Sequence, residues 1–80
     1  MKARIHITLK SGVLDPQGKA IQTSLGALGF GDVDNVRQGK FIELDIAADT
    51  ESEARARLNE MCEQLFANTV IENYTIDLEA

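Results

Sequence analysis

The chain has 80 residues, with thirteen acidic and eight basic side chains, one histidine, one cysteine and no tryptophan. A domain of that size hides only about 60–65% of the surface its unfolded chain exposes, so its core is thin, and a lone Cys62 excludes the internal disulfide that often compensates. The net charge of −5 opposes non-specific binding to nucleic-acid phosphates or anionic lipid, and Cys62 with His6 cannot supply the four ligands of a structural zinc site.

The amino-terminal residues Ala3, Ile5, Ile7 and Leu9 alternate with Lys2, Arg4, His6 and Thr8, the period of a strand with one buried face. That alternation is too regular for a signal peptide, and no stretch reaches the roughly 18 apolar residues of a membrane span. The expected setting is therefore a reducing cytoplasm, with neither nucleic acid nor membrane as partner. In the following loop Asp15 is placed to cap a helix, and Pro16 stands at its first position, where a missing N–H costs nothing. Ile21, Leu25 and Leu28, at i, i+4 and i+7, predict the buried stripe of that helix, which stops at Gly29. Gly18 falls in the first turn, where glycine costs about 1 kcal/mol relative to alanine, so the position points to a close backbone approach.

Val33–Arg37 and Lys40–Ala47 flank Gln38-Gly39, a connection short enough for a hairpin. On that reading Arg37 faces Lys40, and Val36 faces Phe41. Thr50 followed by Glu53 is a capping-box signature, and Ala54, Leu58, Met61, Cys62 and Leu65 predict the apolar stripe of a second helix. Glu51 with Arg55 and Glu53 with Arg57 are i, i+4 pairs on its solvated face. Tyr74, Ile76 and Leu78 then alternate with Asn73, Thr75, Asp77 and Glu79 as a closing strand.

The order strand, helix, strand, strand, helix, strand predicts one α+β domain over residues 1–80. It is the ferredoxin-like sandwich, a four-stranded antiparallel sheet with two helices on one face. Its open face would carry Arg4, His6, Glu43, Asp45 and Asp77, together with the apolar Val36, Phe41 and Ile71, an exposed patch suited to contact.

Little in the chain can do chemistry alone. His6 has no Asp, Ser or Cys near it in sequence with which to build a nucleophile and base. Cys62 lies on an apolar stripe, where a thiol acts as a small hydrophobe. Gly26, Gly29 and Gly31 surround a helix end without a phosphate-loop lysine, and Glu43 with Asp45 read as a solvated strand face. No catalytic, cofactor-binding or metal-ligating residue is assigned.

The polar residues that remain cluster at the joints between elements, and four motifs there are specific. They are Lys10-Ser-Gly-Val-Leu-Asp-Pro-Gln-Gly18 with Ala20, Leu28-Gly29-Phe30, Val36-Arg37-Gln38-Gly39-Lys40, and Leu65 through Tyr74. In this order and spacing the chain resembles the PurS family, the small subunit of phosphoribosylformylglycinamidine synthase. The resemblance implies a ferredoxin-like fold that associates as a homo-dimer or homo-tetramer. It also implies a non-catalytic role joining a glutaminase subunit to a large synthetase subunit, with ATP and magnesium used by the large subunit and no cofactor here. The contact residues it points to are Lys10, Gly12, Asp15, Pro16, Gln17 and Gly18 in the first loop, Val36, Arg37, Gly39, Lys40 and Phe41 around the turn, and Asn68, Glu72, Asn73 and Tyr74. Arg37 and Lys40 would supply charge-assisted bonds to a partner. The competing reading is a small ligand-binding regulatory module of the ACT-like type, since fold alone does not fix function.

Overall fold

The computed structural model describes residues 1–80. Strand β1 (Lys2–Leu9) leads to helix α1 (Pro16–Ala27), strand β2 (Gly39–Asp45), helix α2 (Glu51–Met61), one π-helical turn (Cys62–Phe66) and strand β3 (Glu72–Glu79). The three strands form one antiparallel sheet in the order β2-β1-β3.

Register follows from the alternation in β1. Ala3 pairs with Leu44 and Leu78, Ile5 with Ile42 and Ile76, and Ile7 with Lys40 and Tyr74, which collects the apolar side chains on one face. Ala3, Ile5 and Ile7 are fully buried, and Ala54 and Leu58 of α2, with Cys62 at the start of the π-helical turn, join them in the core. Thr50 caps α2 by accepting from the Glu53 N–H at 3.1 Å. Arg55 pairs with Glu51 at 3.2 Å and also donates to the Ile76 carbonyl, fastening the helix to β3. Arg57 does not pair with Glu53; it donates to the Ala47 carbonyl at 2.9 Å.

The opposite face is open and charged, as the alternation requires. Arg4 on the central strand lies between Glu43, at 3.4 Å, and Glu79, at 2.6 Å, while Lys2 meets Glu43 at 3.2 Å. His6 lies 3.9 Å from Asp77 and stacks at a tilt on Phe41, ring centroids 4.9 Å apart. Phe41 is on this face as expected, but Val36 and Ile71 lie outside the strands.

Three expectations are corrected. The fourth strand does not form: Val33–Arg37 is irregular, so the sheet has three strands and there is no Gln38-Gly39 hairpin. The backbone there is engaged elsewhere. The Val36 N–H donates to Gln22 at 3.4 Å, its carbonyl passes too close to Gly18 to leave room for a Cβ there, and Asn35 adopts a φ of 54°. Second, only α2 covers the sheet. Helix α1 packs extensively on no strand, so the stripe of Ile21, Leu25 and Leu28 is not buried, and Leu28 is 71% exposed. Third, Leu65 leaves the α2 stripe. The π-helical turn, closed by the Ala67 N–H on the Cys62 carbonyl, inserts a residue and rotates the side chains beyond it by about 100°. Leu65 therefore faces outward while Ala67 is buried.

Candidate functional site

The three segments singled out in the sequence meet at the end of the sheet where β1 leaves and β2 begins. Asp15 organises the junction. One carboxylate oxygen accepts from the Gly18 N–H and the other from the Gln38 N–H, both at 2.8 Å, so a single side chain caps α1 and holds the return segment beside it. Those two hydrogen bonds, Gln38's first, favour the ionised form, with the Arg37 charge adding to them; Asp15 titrates below the usual carboxylate range although it is buried. Gly18 is needed at this point because any Cβ would strike the Val36 carbonyl and the Asp15 carboxylate. Gly39 is needed for the same reason against the Ile7 carbonyl.

Arg37 fixes the loop after β1. Its guanidinium donates to the Val13 carbonyl at 3.2 Å, the Leu9 carbonyl at 3.3 Å and the Lys10 carbonyl at 3.2 Å, around a turn in which Gly12 has φ +88°. Lys40 donates to the Phe66 carbonyl at 3.0 Å and sits 3.6 Å from Glu72. Glu72 in turn accepts from the Asn68 N–H at 2.7 Å, and the Asn68 side chain accepts from Val70 at 3.2 Å. The Lys10 N–H donates to the Ile71 carbonyl at 2.8 Å, joining the first loop to the third segment. Arg37 and Lys40 thus both have partners within the chain.

A cleft of about 420 Å³ opens at this junction between Asp15, Pro16, Gln17, Gln38, Gly39, Lys40 and Glu72, floored by Ile7 and Leu9. A second, of about 350 Å³, lies between Lys10, Glu63, Thr69, Glu72, Asn73 and Tyr74. Burial first, then the charge of Glu63, raises the Tyr74 phenol, and the same two causes in the same order raise the Cys62 thiol. Of the expected contact residues, Phe41 alone stands apart, on the opposite face of the sheet beside His6. Gln38, which the sequence marks only as part of a turn and not as a contact residue, ties β2 to the helix cap through its backbone N–H.

No three His, Cys, Asp or Glu side chains gather as metal ligands. What the junction offers is a set of polar groups held by these hydrogen bonds on a shallow surface.

The model of the PurS family, described as phosphoribosylformylglycinamidine (FGAM) synthase, matches residues 2–80. The FGAM synthase subunit PurS of Synechocystis is 51% identical over 77 residues, 96% of this chain and 77% of that protein. That of Bacillus subtilis is 42% identical over 78 residues, covering 98% and 92%. The crystal structure of B. subtilis PurS superposes with a TM-score of 0.86 at 42% identity, over 99% of this chain and 98% of that one. A chain of the PurLQS structure from Thermotoga maritima does so at 0.88 and 32% identity, over 95% and 93%. From its first strand to its last, the chain belongs to the PurS family of FGAM synthase subunits.

Proposed function

We propose that this chain is the non-catalytic bridge of a cytoplasmic FGAM synthase, holding a glutaminase subunit against a large ATP-using synthetase subunit. The observation that carries the reading is the family match along nearly the whole chain, together with the likeness to a chain of the PurLQS structure. The arrangement of the junction supports it. Ammonia released at one site and consumed at another gains from a short enclosed path, which raises its effective concentration and keeps water out, and this needs a rigid spacer rather than a reacting group. ATP and magnesium belong to the large subunit. The residues that meet the partner subunits are those around the two clefts, with Lys10, Gln17 and Asn73 exposed or partly exposed there and Arg37 and Lys40 holding the surface in shape.

The complex itself is the test. Mixing this chain with the glutaminase and the large subunit and measuring the native mass should give a species containing all three, and omission of this chain should leave the other two separate. A full-affinity complex of the two larger subunits without it would refute the bridging role.

A further inference from the structure

The loop between β1 and α1 displays one leucine on a turn that is held at both ends. Leu14 is 74% exposed. Before it, the Val13 N–H donates to the Lys10 carbonyl at 3.1 Å and the Val13 carbonyl accepts from Arg37 at 3.2 Å. After it, Asp15 is 6% exposed and has both carboxylate oxygens engaged. A lone apolar side chain on a surface is ordinary. One whose two neighbours are already fixed is different, because a partner that buries it has little backbone left to order.

The charges beside Leu14 define the partner. Although the chain has a net charge of −5, its unpartnered cations gather here. Lys2, Arg4, Lys40 and Arg55 pair with carboxylates, and Arg37 and Arg57 donate to backbone carbonyls. Lys10 and Lys19 alone do neither, and they flank the loop, Lys10 at its start and Lys19 in the first turn of α1. A hollow of about 230 Å³ opens between Leu14, Asp15, Lys19, Asp34 and Arg37. Its carboxylates are engaged, Asp15 by two N–H groups and one Asp34 oxygen by Gln22 and the Asn35 N–H. An incoming acidic group therefore finds the Lys19 ammonium free.

We propose that Leu14 is the anchor by which this chain docks on one of the two larger subunits, filling an apolar socket whose rim carries carboxylates that meet Lys10 and Lys19. The anchor presupposes the bridging role and adds the chemistry of one of its contacts.

Binding of this chain to the glutaminase subunit, to the large subunit and to both together is to be read by biolayer interferometry. Leu14→Ser should raise one dissociation constant about tenfold to a hundredfold, the worth of one buried leucine side chain, while the thermal midpoint and the self-association of the chain stay unchanged. Leu65→Ser removes a leucine that is 79% exposed on the π-helical turn; it should leave the constant within about twofold of wild type. The double variant Lys10→Glu, Lys19→Glu should weaken binding about tenfold at low salt and lose the weakening that added salt causes in the wild type. A wild-type chain that binds neither subunit would refute bridge and anchor together. Wild-type binding that survives Leu14→Ser, equal losses from Leu14→Ser and Leu65→Ser, a self-association altered by Leu14→Ser, or an affinity unchanged or raised by the double reversal would each overturn the anchor and leave the bridge standing.

Discussion

Asp15 and Gly18 are where a local rule and the whole fold meet. The cap geometry of Asp15 is legible in Asp-Pro, but its second oxygen holds Gln38, 23 residues away, which no local pattern announces. Replacing Asp15 with Ala leaves two backbone N–H groups without their acceptor, so its urea midpoint should fall further than that of Thr50→Ala, which loses a single cap worth about 1 kcal/mol. The pH dependence has a definite sign. Because the folded carboxyl titrates below its unfolded value, the clamp contributes its full stabilisation above about pH 4 and loses it as pH falls through the lower folded value. Acid titration followed by circular dichroism should therefore show an unfolding component that Asp15→Ala lacks. Gly18→Ala should cost about 1–3 kcal/mol despite the better helix propensity of alanine, because the added methyl meets the Val36 carbonyl; a stabilised variant in chemical denaturation would refute that contact.

At the scale of elements, what the sequence makes plain is whatever depends on near neighbours. The alternation of Ala3, Ile5 and Ile7 places β1, the Thr50 cap starts α2, and Tyr74, Ile76 and Leu78 mark β3. The strand expected over Val33–Arg37 fails because its backbone is engaged elsewhere: the Val33 N–H donates to the Phe30 carbonyl, that of Asn35 to Asp34 and that of Val36 to Gln22, 14 residues back in the chain. Leu65 fails for a different reason: a helical period counts 3.6 residues per turn, and the π-helical turn over Cys62–Phe66 breaks that count. Leu58→Ala should then cost about 2–5 kcal/mol, whereas Leu65→Ala should change stability by less than about 0.5 kcal/mol. Equal losses in urea denaturation would mean that the stripe continues unbroken through the turn.

On the scale of the whole molecule, the chain is long rather than round. Its radius of gyration is 15.9 Å and its extents are 50 × 26 × 14 Å, against about 12 Å expected for a compact domain of 80 residues. The periodicity of Ile21, Leu25 and Leu28 marks one side of α1 as apolar, but periodicity carries no information on whether the fold of the chain buries that side. The candidate surface was legible for a related reason. Loops rich in Gly, Pro, Asp and Asn announce themselves, while their convergence on one end of the sheet depends on a register and on long-range hydrogen bonds that only the fold supplies. An elongated body with polar groups fixed at one end is suited to spanning two larger proteins, and its contribution is then visible only when both are present. The decisive measurement is FGAM synthesis by the reconstituted subunits with glutamine or with free ammonium as nitrogen donor. The bridging account predicts that omitting this chain abolishes the glutamine-dependent rate and spares the ammonium-dependent one; an unchanged glutamine-dependent rate would contradict it.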